Sequence, residues 1–279
     1  MTKPGAILNH GRQLDQPAAR RLWLFSGTGD GPALAGDLLR QGWQLRVSVL
    51  REPFSQAYPE DSDLELWVGP LGGGGSLAEA LLQARRQQRP FRAVIDATHP
   101  FARRISAELA EGCAAAAVPL LALARAAAEP MAPVVDLNVL DQPAALQAED
   151  LAGRRLLLAI GARQLAEVVR FSAGALHHAR VLPRPQALQQ ALAAGLAPER
   201  IACLQPDPPG LGSVEAALVK RWGIEVILAR QSGPPMEVLW RRIAAARSCR
   251  LLLLRQPAAA EGPRLLRAQL LQQLAAWIC

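Results

Sequence analysis

The chain of 279 residues is poor in lysine, in tyrosine and in aromatic side chains generally. Lys3 and Lys220 are its only lysines, Tyr58 is its only tyrosine, and aromatics make up 4% of the whole. Surfaces that bind nucleic acid interleave basic runs with aromatic stacking residues. Neither occurs here, so no nucleic-acid partner is expected. No apolar run reaches the roughly 18 residues that a membrane helix needs, so no membrane span is expected either. The opening stretch MTKPGAILNHGRQLDQPAARR has no apolar centre followed by a small-residue cleavage site, so no secretory signal is expected. The four cysteines (Cys113, Cys203, Cys249 and Cys279) form no CxxC pair and stand near no histidine at metal-ligand spacing. They read as reduced thiols of a cytoplasmic protein, with no metal site.

What the chain does have is hydrophobic mass and arginine. Hydrophobic residues are 51% of the chain and the net charge is +7, nearly all of it arginine. The guanidinium groups have three readings: charges that solvate the surface, a nucleic-acid footprint, or forks that grip the carboxylates or phosphates of a small acidic molecule. Composition alone favours the first, and the loops described next add the third.

Short apolar runs alternate with amphipathic stretches. Strands are expected at 22–25, 44–50, 64–68, 91–97 and 118–125, with helices at 33–40, 77–86 and 102–117 between them. The pattern lapses around 126–153, where 134–140 reads as a strand inside a passage between domains. It then resumes with strands at 155–160, 177–183, 200–205, 224–229 and 249–257, helices between them, and a last helix near 263–277. Buried strands without period-2 alternation, separated by helices, indicate parallel sheets. The expected fold is α/β, with two Rossmann-like doubly wound parallel-sheet domains: a mobile tail at 1–19, a dinucleotide-binding domain at 20–130 and a second α/β domain at 131–279.

The first strand runs into Ser26-Gly27-Thr28-Gly29-Asp30-Gly31-Pro32 and then a helix. Glycines let the backbone turn sharply and approach a pyrophosphate, and the helix start offers free N–H groups. Pro32 suits a first helical turn, and Asp30 is expected to cap it. The strict GxGxxG pattern is absent because Pro32 stands at the third glycine, so a plain strand-to-helix turn is the competing reading. NAD-binding sheets usually carry an acidic residue about 20 residues on. Here the second strand offers Arg46, Ser48 and Arg51, which suit a 2′-phosphate and favour NADP, although both arginines also read as ordinary surface charges.

The fourth strand ends in Asp96-Ala97-Thr98-His99-Pro100-Phe101. In a doubly wound sheet this loop belongs beside the glycine turn. Asp96 and Thr98 offer hydrogen bonds to sugar or amide groups. His99 reads either as a surface or capping group or as a contact to a carboxylate and proton donor.

The strand-SGTGD-helix segment at 22–40 and IDATHPFA at 95–102 resemble the precorrin-6A (or cobalt-precorrin-6A) reductase family, as do LLLAIGARQL at 156–165, ARVLPRP at 179–185 and ARQSG at 229–233. The resemblance spans about residues 20–260, and DATHPFA is its most specific element. Ser26 and Asp30 replace the family's usual glycine and glutamate, and Arg230 stands where a lysine is common. The stretch Gln205-Pro206-Asp207-Pro208-Pro209-Gly210 replaces a QGPF-like loop.

The resemblance implies NADPH on the first domain, a polycarboxylate tetrapyrrole in a cleft between the domains, and hydride transfer to one ring double bond in cobalamin biosynthesis. It further implies that Gly27, Thr28 and Gly29 hold the pyrophosphate, that Ser26 and Asp30 of the same loop belong to the cofactor site, and that Ser48 with Arg46 or Arg51 holds the 2′-phosphate. Asp96, Thr98, His99 and Pro100 would line the nicotinamide end, and Arg230, Ser232 and Gly233 would meet the substrate. No catalytic acid or base is required, with His99 the one candidate. The alternatives are another NADP-dependent small-molecule reductase, although Tyr58 lacks the nearby lysine of short-chain enzymes, or a dinucleotide-sensing binding protein without chemistry. A monomer and a small homo-oligomer are both compatible with the sequence, and the Gly72–Gly75 run reads as a loop.

Overall fold

The computed structural model describes residues 6–9, 20–26, 29–50, 56–69, 76–125, 136–205, 212–257 and 264–278. The chain divides into two compact units, one of Met1–Arg125 with Pro257–Cys279 and one of Ala126–Gln256. Both are α/β units built on largely parallel sheets.

In the first unit, apolar runs form strands β1 (Ala6–Asn9), β2 (Arg21–Ser26), β3 (Gln44–Val49), β4 (Leu64–Val68), β5 (Ala93–Ala97) and β6 (Leu120–Leu123). The C-terminal segment adds β13 (Arg264–Leu265). The sheet order is β1-β4-β3-β2-β5-β6-β13, parallel except for β1, which runs antiparallel along β4. Without β1, the order in chain sequence reads 3-2-1-4-5-6, the Rossmann arrangement. All six residues of β2 are buried, as a central strand covered on both faces requires.

Helix α1 (Asp30–Arg40) turns Leu34, Ala35 and Leu38 inward at helical spacing. Against the same sheet face lies α8 (Arg267–Ala275), through Leu270 and Leu274. The opposite face carries α2 (Leu77–Arg86) and α3 (Arg103–Ala116), packed on Trp23, Phe25 and Val94. Ser76 and Glu79 form a capping box that starts α2. Gly112 lets α3 cross closely there, since a Cβ on it would lie 2.8 Å from Leu77 Cβ.

The second unit holds β7 (Leu137–Leu140), β8 (Arg155–Ala159), β9 (Leu176–Val181), β10 (Ile201–Cys203), β11 (Val226–Arg230) and β12 (Arg250–Leu254). These pair in the order β10-β9-β8-β11-β12-β7, every neighbour parallel. Helices α4 (Leu165–Phe171), α5 (Pro185–Ala193), α6 (Ser213–Arg221) and α7 (Met236–Arg247) connect them. One face is filled by Leu239, Trp240, Ile243 and Ala244 of α7 against Ile227, Ala229, Leu251 and Leu253.

Two boundaries depart from the expectation. The tail contributes an edge strand at Ala6–Asn9. The last helix, expected in the second domain, belongs to the first unit, because β13 pairs with β6 and Leu270 and Leu274 enter the first core. The sixth position of the first sheet is thus filled from the far end of the chain. The sixth position of the second sheet is filled by β7, which precedes the rest of that sheet. No helix among the described residues is long and apolar enough to cross a membrane.

Leu270 is fully buried, so Leu270→Ala should leave a cavity in the first core and cost about 2–5 kcal/mol. Urea unfolding followed by tryptophan fluorescence measures this, and an unchanged midpoint would remove α8 from that core.

Candidate functional site

In a sheet of this order, the chain leaves the two central strands toward opposite faces, and ligands bind in the crevice at their carboxyl ends. In the first unit those strands are β2 and β5. Ser26 ends β2, and Asp96 and Ala97 end β5, so the two loops singled out in the sequence flank one switch point.

Helix α1 starts one residue earlier than a side-chain cap at Asp30 would place it. Gly29 is its N-cap with no side-chain hydrogen bond, and Asp30 is its first residue. A Cβ added to Gly29 would meet nothing within 4 Å, so its backbone is open to approach. Gly31 is the reverse case: a Cβ there would lie 1.9 Å from Ser26 Oγ and 2.2 Å from the Tyr58 hydroxyl. The close helix-to-strand packing that a third fingerprint glycine provides therefore falls to Gly31, one residue before Pro32. Tyr58 is buried, and desolvation pushes its pKa up to about 12, opposed by the neighbouring Ser26 hydroxyl. Gly27 and Thr28 lie outside the described residues.

Asp30 does not cap the helix as expected. Its Oδ2 lies 3.0 Å from Nε of Arg125, just beyond β6, a residue the sequence reading passed over as the end of a strand. Two more expectations are corrected on β3. Ser48 is buried, and its hydroxyl accepts a hydrogen bond from the Trp23 indole at 2.9 Å. Arg46 donates to Glu65 Oε1 at 2.8 Å and stacks near the Trp23 ring. Glu65 also accepts from Arg21, whose pKa burial and the Arg46 charge lower to about 10 while Glu65 opposes the shift. Both side chains are spent inside the sheet's α2/α3 face, so neither is placed to meet a 2′-phosphate. Arg51 and Gly72–Gly75 lie outside the described residues.

At the end of β5, Asp96 Oδ1 accepts from the Thr98 amide at 2.9 Å and from the Thr98 hydroxyl at 2.6 Å. This local turn fixes the loop. His99 Nδ1 accepts from the Phe101 amide at 3.2 Å, which assigns the neutral ring's proton to Nε2 and makes that nitrogen a donor. Pro100 is buried. Arg264 of β13 shares a cross-strand row with Ala122 and Asp96, and the small alanine leaves room between them. Burial lowers the Arg264 pKa, opposed by the Asp96 charge.

The second unit repeats the geometry between β8 and β11. Gly161, with φ at +79°, turns the chain after β8, and Arg230 ends β11. The Arg230 guanidinium lies over Gly161, where an added Cβ would be 3.6 Å from both terminal nitrogens. It donates to Gln164 Oε1 at 2.8 Å. Burial, and then the neighbouring charge of Arg163, lower its pKa to about 10. Ser232 and Gly233 are buried rather than presented outward. The Gly233 amide donates to Glu237 Oε2 at 2.9 Å, and Arg241 in turn donates to Glu237 Oε1, so both residues hold the turn that carries Arg230. Sequence reasoning missed Gly161, Arg163 and Gln164, although they sit within the quoted LLLAIGARQL segment. Residues 206–210 of the divergent loop lie outside the described residues.

A groove lined by Asp136, Ile224, Val226, Ser248 and Arg250 opens at the other, amino-terminal edge of this sheet. Several of its charges are already paired: Arg250 with Asp136 and with the nearby Glu149, and Arg154 with Glu225. The strand order, not that groove, identifies the candidate ligand edge.

The family model described as "Precorrin-6x reductase CbiJ/CobK" matches residues 21–278. The cobalt-precorrin-6A reductase of Synechocystis sp. is 29% identical over 248 residues, 86% of this chain and 90% of that protein. The precorrin-6A reductase of Rhodobacter capsulatus is 34% identical over 158 residues, 57% of this chain and 59% of that protein. A solved structure described as CobK precorrin-6A reductase shares the fold with a TM-score of 0.68 at 24% identity, covering 92% of this chain and 96% of that one.

The close packing of Gly31 generates a stability prediction. Gly31→Ala should destabilise the fold by about 1–3 kcal/mol through overpacking, whereas Gly29→Ala, with open space before it, should not. Thermal melts of the two variants compare them, and equal losses would contradict the packing assignment.

Proposed function

The chain belongs to the precorrin-6x reductase family, and on that premise we propose that it binds NADPH at the β2/β5 switch point and a tetrapyrrole carboxylate at the β8/β11 switch point. It is an oxidoreductase of cobalamin biosynthesis that acts on a CH–CH bond, reducing one macrocycle double bond of precorrin-6A or its cobalt form. The observation that carries the cofactor reading is the open backbone at Gly29 beside a helix start, at the crevice of a Rossmann-ordered sheet.

The residues present fit the dinucleotide. Gly29 admits the diphosphate to the backbone, and the first amides of α1 offer donors with the positive end of the helix dipole behind them. Gly31, Ser26 and Tyr58 hold that turn in place from below. When bound, NADPH supplies the hydride. The Asp96–Thr98 turn fixes the loop that carries His99, and His99 presents Nε2–H as a donor toward a nicotinamide amide or a substrate carbonyl or carboxylate. In the second unit, Arg230 and Arg163 supply two positive charges for substrate carboxylates. Arg230 is preset by Gln164 and Gly161, which reduces the ordering cost of a two-point contact. The chemical step then rests on orientation, which accounts for roughly 7–11 kcal/mol of barrier in well-aligned cases. A cytoplasmic setting suits this chemistry, and Cys203 and Cys249 are thiols outside any disulfide.

NADPH oxidation at 340 nm with precorrin-6A and cobalt-precorrin-6A in parallel tests the reading, and the faster substrate identifies the pathway. NADPH binding without turnover of either tetrapyrrole would support the alternative of a binding protein. Gly29→Val should abolish NADPH binding measured by fluorescence titration, and survival of affinity would displace the cofactor from this turn. Arg230→Ala should raise the tetrapyrrole KM at least tenfold with NADPH affinity unchanged, and equal loss of both would place Arg230 in the fold instead.

A further inference from the structure

The first turn of α1 contains an electrostatic conflict if the diphosphate reading is right. A helix N-terminus attracts anions, but Asp30, the first residue of α1, puts a carboxylate beside the same backbone amides. A diphosphate brought to Gly29 would face like charge at the same helix start, and like charges repel in a partly exposed setting. The carboxylate is 44% exposed, and the helix cap does not use it, because Gly29 carries no side-chain cap bond.

Arg125 is placed to remove the conflict. Its side chain is 12% exposed, and its Nε lies 3.0 Å from Asp30 Oδ2. Its backbone position is set by the sheet: Ala124, the preceding residue, donates its amide to Leu265 O at 2.7 Å, continuing the β6–β13 pairing. The other arginine expected near the cofactor and described here, Arg46, is committed to Glu65 on the sheet's α2/α3 face.

We propose that Arg125 is a positioning residue for the cofactor: by pairing with Asp30 it cancels a carboxylate that would otherwise repel the diphosphate at the start of α1. The inference rests on the NADPH reading above. The C-terminal return strand gains a role in it, since β13 fixes the segment that carries Arg125.

The test is a double-mutant cycle read by NADPH dissociation constants, with urea unfolding as a control for folding. Arg125→Met keeps most of the side chain's length and removes the charge. It should weaken NADPH about tenfold, and the weakening relative to the unaltered protein should shrink as KCl rises from 0.05 to 0.5 M, about 14 to 4 Å of Debye length. Asp30→Asn alone should leave affinity within about threefold, and Asp30→Asn with Arg125→Met should recover affinity to the same range. An Arg125→Met protein with full affinity would overturn the proposal. So would a double variant as weak as Arg125→Met alone, which would make Arg125 a direct phosphate ligand. If the unaltered protein does not bind NADPH at all, or Gly29→Val binds it normally, the cofactor reading itself falls, and the cycle distinguishes the two failures.

Discussion

Parallel neighbours need crossover connections that run over one face of the sheet, and where two neighbouring strands send their chains to opposite faces a crevice opens that no side chain of the sheet fills. This constraint operates twice in the chain, between β2 and β5 and between β8 and β11. The candidate site residues gather at those two places. Gly29, Asp30, Arg125, Asp96 and His99 lie at the first, and Gly161, Arg163, Gln164 and Arg230 at the second. The sheets hold these groups in position because their strands are buried on both faces: Leu22, Leu24, Ile95, Leu156, Leu158 and Ile227 are fully covered.

The strands and helices were legible because buried parallel strands are continuous apolar runs and amphipathic helices have a fixed period. The glycine turn and the DATHPFA loop were legible for the same reason, since each directly follows such a run. What was not legible depends on lateral neighbours. Arg46 and Ser48 look available in a linear reading, yet their positions put them in register with Trp23, Phe25 and Glu65 of adjacent strands, where Glu65 takes a terminal nitrogen of Arg46 and the Trp23 indole donates to the Ser48 hydroxyl. The unit to which the last helix belongs was hidden because β13 has only two residues and no pattern of its own. Asp30 was read as a cap since its local setting suits one, but its partner, Arg125, is 95 positions away in the chain.

Arginine richness resolves in part into pairings. Arg21 and Arg46 share Glu65, Arg125 meets Asp30, Arg180 meets the buried Glu215, and Arg241 meets Glu237. Several of these tie one element to another, and one of them, Glu237 with Arg241, braces the turn behind Arg230. Arg230 is held by Gln164 over Gly161, with the charge of Arg163 near it.

The central claim is that the two switch points divide the work, dinucleotide on the first unit and macrocycle carboxylates on the second. Hydrogen–deuterium exchange with and without NADP+ tests this most directly, because it reports protection amide by amide. The account predicts slowed exchange at residues 29–33 and 97–102 with residues 159–165 and 229–233 unchanged. Protection confined to 159–165 and 229–233 would contradict it and exchange the roles of the two sheets.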